Sequence, residues 1–435
     1  MCKSKKKLTG AAVQPSPKKK TPSISRNSSS PAPPAVKTPP FDPSLSTSGQ
    51  IISSTASTSS FYINYNKDSQ SWRSSRSSKR DSLSSLREAL PEQTLIYDFS
   101  EIRSATDNFL QTPLSSSSTS TTWRCVVRGQ NVVIIQRKFR RPIETPELIE
   151  RVAMICRSHH SSLIPLKGVT ISGNYIYLVY EYIHGANLHN VLRNPRNPNF
   201  TVLSNWMQRL QIVSDIASGL DYIHNSTGLG FDFIHNHIKS SSIIVTEPSL
   251  SARICHFGAA ELCGEIAKRS AESELEIEPN SASLKRSNSK AMKFEGTRGY
   301  MAPEFQSTGA VSQKSDVYAF GVVVLELLSG SEALKYIVDE ETGGYVRISV
   351  IETARAAVDG GGVRGWVDRR LRDSYPVDVA EKLVRLALEC LDDDPNFRPD
   401  MGHVAVRVSQ MYLDSQTWAD KIGLLTDFTV SLGPR

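Results

Sequence analysis

The chain changes character near residue 90, and that break limits what can fold. From Met1 to Leu90, fifteen Lys and Arg stand against four Asp and Glu, a net of +11, whereas the whole 435-residue chain carries +7. Residues 91–435 therefore carry −4, and the basic balance belongs to the first segment alone. That segment is rich in Ser, Thr, Pro and Lys, so burial of apolar surface cannot offset its chain entropy. Residues 1–93 are expected to be a disordered basic tail. The remainder is long enough to bury a substantial core. Its most apolar stretch, Val317 to Leu328 (VYAFGVVVLELL), is interrupted by Gly321 and Glu326 and reads as a buried helix. No run reaches the ~18 apolar residues of a membrane span. The six cysteines lack CxxC spacing, which sets aside a zinc site and a disulfide framework and fits a reducing compartment.

The tail opens MCKSKKK, without the apolar core of a secretory signal, and residue 2 is not the Gly that N-myristoylation needs. Two readings stand. One is a solvated tail. In the other, Cys2 is S-acylated and Lys3, Lys5, Lys6 and Lys7 meet an anionic membrane, each gaining about 1 kcal/mol. Four Ser/Thr-Pro pairs and the run RSSRSSKRDSLSS, which contains Ser82, resemble phosphoacceptor sites whose added charge would weaken such a contact. No nucleic-acid partner is expected.

From about residue 94 the chain alternates strand-like and short helical patterns to about 183, and helical patterns then dominate. Several phrases recur in a fixed order: VVIIQRK from Val132, HHSSLIPLKG from His159, YLVYEYIHGANLHNVL from Tyr177 and IHNHIKSSSIIV from Ile234. ICHFG from Ile254, GTRGYMAPEF from Gly296, SDVYAFGVVVLELLSG from Ser315 and DDDPNFRPDM from Asp392 follow. Together they resemble the kinase domain of plant receptor-like protein kinases, and the later phrases look most like the LysM type. The resemblance implies an α+β, bilobal protein-kinase-like fold over residues 94–412. A small β-rich lobe would span about 94–183 and a larger helical lobe about 184–412, with an activation-segment insertion at about 264–293 and a C-terminal extension at 413–435.

The same resemblance shows what is replaced. Where the family carries its base Asp stands His237; where it carries metal-binding Asn and Asp stand Ser242 and His256; Gln136 takes the place of the phosphate-pairing Lys. Lys138, two residues along the strand, would face the same side but lie about 6.6 Å away. Arg151 falls at the position of the helix Glu, with Glu150 beside it. Ser115, Ser117 and Ser120 stand where the phosphate loop has glycines, which suggests a floppy, hydrated turn. By the resemblance Glu181 and Tyr182 face the adenine edge, His235 packs with Phe257, Asp316 receives backbone amides of the catalytic loop, and Arg398 pairs with Glu304. Phosphoryl transfer depends on positioned charge, and Mg²⁺ needs hard oxygen ligands. With those groups lost, no ATP, magnesium or other cofactor is expected to be held. His235, His237 and His256 would converge near the cleft floor, as a transition-metal site or, in the plainer reading, with His235 packed and the other two solvated.

The insertion AESELEIEPNSASLKRSNSK from Ala271 contains a basophilic phosphosite pattern with Ser287 and Ser289 as acceptors. The expectation is a cytoplasmic pseudokinase, peripheral at the inner face of the plasma membrane if its tail is anchored, acting as a scaffold or partner of an active receptor-like kinase. The alternatives are a weakly active atypical Ser/Thr kinase and a switch that binds ATP without turnover.

Overall fold

The computed structural model describes residues 96–226, 233–266, 296–339 and 343–429, with side chains through Ile422. Cys2, Ser82, Ser287 and Ser289 lie outside the described residues, as does most of the expected insertion.

The small lobe begins with helix α1 (Phe99–Ala105), followed by β1 (Ser115–Ser116), β2 (Ser120–Val127), β3 (Gln130–Lys138), helix α2 (Thr145–Arg157), β4 (Leu166–Ser172) and β5 (Tyr175–Glu181). The strands form one antiparallel sheet in the order β1-β2-β3-β5-β4. Arg128 and Gly129, at φ +51° and +76°, make the turn between β2 and β3, a twist that suits a two-residue hairpin. Side chains alternate across this sheet, so each face has its own partner. Val132, Ile134, Tyr177 and Val179 face α1, where Phe99 and Phe109 pack on Tyr177 with ring centroids 5.5 Å away. Ile135, Leu178 and Tyr180 belong to the main core with Leu148, Val152 and Ile155 of α2, whose i, i+4, i+7 spacing forms one helix face.

The large lobe holds β6 (Gly185–Asn187), α3 (Leu188–Leu192), α4 (Trp206–Asp221), β7 (Ile243–Thr246), β8 (Ala252–Ile254), α5 (Ala259–Leu262) and α6 (Pro303–Thr308). After these come α7 (Gln313–Ser329), the hairpin β9 (Leu334–Val338) and β10 (Tyr345–Ser349), α8 (Val350–Asp359), α9 (Val363–Trp366), α10 (Val377–Cys390) and α11 (Met401–Thr429). Helix α7 is buried from Ser315 through Leu328, and both breaks in its apolar run have a cause. A Cβ on Gly321 would lie 2.8 Å from the Ala387 carbonyl, so glycine lets α7 approach α10. The Glu326 carboxylate, 0 % exposed, accepts from Arg193 (2.6 Å), the Tyr300 hydroxyl (2.5 Å) and the Ser240 hydroxyl (3.2 Å). The boundary expected after residue 412 falls inside α11: Trp206 on α4 donates to Ser415, itself fully buried, at 2.9 Å. Among the described residues no helix is long and apolar enough to cross a membrane.

Arg398, fully buried as a side chain, holds both carboxylate oxygens of Glu304 at 2.8 and 2.7 Å and also donates to the carbonyls of Lys314 and Asp392. It fastens α6 to the start of α7 and to the segment between α10 and α11. Arg398→Met removes the charge while filling much of the space, and leaves Glu304 and two carbonyls short of a donor. Urea unfolding should then show a loss of about 3–5 kcal/mol, the usual result of breaking one side of a buried pair.

Candidate functional site

The cleft between the lobes is built by β3, α2, the loop from Phe233 to Ser242 and the segment from Cys255 to Glu265. Asp316, 1 % exposed on α7, sets the loop: it accepts from the amides of His235 (2.7 Å) and Asn236 (2.8 Å), with His224 Nε2 at 3.1 Å. Asn236 takes φ +59°, a costly backbone state for a residue with a Cβ. His235 Nε2 donates to the Cys255 carbonyl at 2.8 Å, joining the loop to the next motif. There His256 sits at φ +66° and Gly258 at φ +81°, and a Cβ on Gly258 would strike Ile155 of α2 at 2.7 Å. Phe257 packs against Phe233 at 5.5 Å and lends its carbonyl to the Tyr180 hydroxyl at 2.9 Å.

On β3 the structure differs from the sequence expectation by one residue. Gln136 donates to the Tyr177 hydroxyl at 3.0 Å on the face covered by α1, so it does not point into the cleft. Lys138 shares that face by alternation, pairs in register with Tyr175 and is exposed, which removes it as a phosphate contact. The side toward α2 and the cleft carries Val133, Ile135 and Arg137. Ile135, 4 % exposed, fills the place opposite α2 with hydrocarbon. Arg137 extends across the cleft, with Nη1 2.6 Å from His237 Nε2 and 3.0 Å from Glu265 Oε1. Glu265 Oε2 lies 3.0 Å from the same His237 nitrogen and accepts from Asn236 at 3.4 Å. Arg151 on α2 is taken up by Glu147 and Glu261, each at 2.7 Å, while Glu150 is exposed.

The exposed serine loop folds into a hydrogen-bonded turn. Ser117 closes a turn with its amide on the Ser120 carbonyl at 2.9 Å. Its hydroxyl accepts from the amides of Thr119 (3.4 Å) and Ser120 (3.1 Å), so a side chain already occupies amides that a phosphate would need. Toward the interlobe hinge, Glu181 pairs with Lys167 at 2.7 Å, and the Arg124 guanidinium covers the Tyr182 ring at 3.8 Å.

Electrostatics follow from burial. The His237 and His256 rings lie 6.0 Å apart and those of His235 and His237 6.3 Å. His237 is engaged by Arg137 and Glu265, and His256 Nδ1 is buried without a hydrogen-bond partner, so neither is solvated as the plainer sequence reading had them. Burial lowers His235 to about 4, with Asp316 opposing, and holds His256 well below its ordinary value. Burial and then Arg137 lower His237. Burial alone would raise Glu265, but the Arg137 and Arg140 guanidinium groups hold it below its ordinary value. The region therefore holds neutral imidazoles, an ionised carboxylate and a guanidinium. Ser242 Oγ is buried without a partner, and neither Ser242 nor His256 offers the carboxylate or carbonyl oxygen that magnesium favours. Among the described residues no group of three or more His, Cys, Asp or Glu is placed to hold a metal. Ser242 and His256 do not fit a magnesium ion.

Three histidines kept neutral by burial make stability pH-dependent. Their folded affinities for protons are depressed, so the unfolded chain protonates first as pH falls. The contribution is full above about 6.5 and is lost on descending toward 4. At about 1.4 kcal/mol per pH unit, His235 alone accounts for about 2 kcal/mol between pH 7.5 and 5. Urea unfolding at those two values should show a loss of at least that size; equal stabilities would mean the imidazoles are solvated.

Comparison with known proteins agrees with this architecture. Residues 118–408 match the protein kinase domain family. LysM domain receptor-like kinase 3 of Arabidopsis thaliana is 32% identical over 75% of this chain and 48% of its own length. Chitin elicitor receptor kinase 1 of Physcomitrium patens is 30% identical over 74% of this chain and 47% of its own. The chain thus spans about half the length of these curated relatives. Among solved structures, the pseudokinase domain of BIR2, an immune regulator of the RLK/Pelle family, shares the fold at TM-score 0.54 and 24% identity, covering 76% of this chain and 94% of that one. The chain belongs to the protein kinase family, and its relatives are plant LysM receptor-like kinases.

Proposed function

We propose that the chain is a receptor-like pseudokinase, a kinase fold that signals by binding an active receptor-like kinase rather than by transferring phosphate. The observation that carries this reading is the Arg137–His237–Glu265 cluster, which fills the cleft from both lobes where a triphosphate and its metal would need room. An ionised Glu265 there repels phosphate oxygens. The other losses are independent of it. His256 and Ser242 offer no carboxylate or carboxamide oxygen, and Ser117 occupies the turn amides. A weakly active Ser/Thr kinase, or an ATP-binding switch, would need several of these to be reversed together. Function then lies in surfaces, since the fold by itself does not carry the activity. Cys2 and the lysines after it supply the means for attachment to the inner face of the plasma membrane from the cytoplasm.

The test uses the full chain with the kinase domain of an active LysM receptor-like relative, radiolabelled ATP and magnesium. Phosphate should enter this chain only when the partner is active, and an inactivated partner should still bind it with a micromolar Kd. Incorporation into this chain or a generic Ser/Thr peptide with no active partner present would overturn the reading.

A further inference from the structure

Three groups of the small lobe grip one short stretch of the large one. Arg151 Nη1 donates to both the carbonyl (3.1 Å) and a carboxylate oxygen (2.7 Å) of Glu261. The Arg140 amide donates to the Cys263 carbonyl at 2.9 Å. Arg137 meets Glu265 at 3.0 Å. The side chains of the two ion pairs are 14–19% exposed, so neither is a loose surface contact. Packing is close between the charges as well: a Cβ on Gly264, at φ +67°, would lie 2.9 Å from the Arg141 carbonyl. Beyond the clamp, Glu265 accepts from Asn236, whose own amide is held by Asp316 on α7.

We infer that Arg137, Arg140 and Arg151 clamp residues 261–265 to the small lobe, so that the domain keeps one fixed inter-lobe arrangement without any ligand in the cleft. This goes beyond the function proposed above and stands whether or not the chain transfers phosphate. Ser162 and Ile164 already bond the backbone of Ile254 beside the hinge, at 2.7 and 3.0 Å, and lobes so joined still move relative to each other unless contacts across the cleft hold them. Here those contacts are built from the chain itself. Each part-buried guanidinium has a carboxylate on the opposite side, so losing that carboxylate removes the ionic contact that crosses the gap. A partner protein then meets one surface, already formed.

Hydrogen–deuterium exchange of the full chain tests the clamp. The double variant Glu261→Gln, Glu265→Gln removes both counter-charges while keeping shape. Amides of residues 258–266 and 234–242 should exchange about tenfold faster, while those of α7 and α10 stay as in the parent, the pattern of local rather than global opening. Arg137→Lys keeps a cation but cannot reach both His237 and Glu265, and should give the same local pattern at smaller amplitude. Unchanged exchange at 258–266 in both variants, or acceleration of α7 equal to that of 258–266 in both, would overturn the clamp.

Discussion

A guanidinium at the bottom of a cleft must have a counter-charge, and Arg137 imposes that condition on everything around it. Burying an unpaired charge costs several kcal/mol, so Glu265 has to come to it and remain ionised. His237 Nε2 faces both a donor and an acceptor and can serve only one, and its neutral form serves Arg137. His237, which the resemblance aligns with the family's base, is thereby engaged in a structural contact. A carboxylate at 237 would compete with Glu265 for Arg137, and one at 256 would add charge to a pocket of depressed imidazoles. The replacements support one another as a set.

The residues that hold the kinase fold are separate from those that would run its chemistry. Asp316 fixes the catalytic-loop backbone through two amides, Glu326 joins Ser240, Tyr300 and Arg193, and Arg398 anchors Glu304. None of them needs a nucleotide to be satisfied. The loop keeps its left-handed Asn236 and His256 because backbone hydrogen bonds and the close approach of Gly258 to Ile155 still demand that path. A fold can lose its reacting groups while keeping every interaction that places them.

Much of this was legible in the sequence because these framework positions fall in long phrases such as IHNHIKSSSIIV and SDVYAFGVVVLELLSG. The face of β3 was not. VVII is an unbroken apolar run, so it lacks the polar alternation that tells one side of a strand from the other, and a slip of one residue exchanges every side chain. Gln136 was thus expected in the cleft, and Arg137 carried no expectation. The serine loop also misled: serines lack glycine's freedom, but Ser117 builds a hydrogen-bonded turn from its own hydroxyl. Glu261 and Glu265 carried no local signal, since an acidic residue near a polar insertion looks solvated until the fold brings arginines from α2 and β3 against it. The break expected at 412 was hidden by a helix that continues through Ser415.

The pseudokinase proposal stands or falls on whether this cleft takes up a magnesium–nucleotide pair. Equilibrium binding of a fluorescent ATP analogue to the full chain, with magnesium and with EDTA, tests it most directly. No saturable binding is expected up to about 1 mM ligand, equivalent to less than about 4 kcal/mol, in either condition. Saturable, magnesium-dependent binding with a micromolar Kd would contradict it.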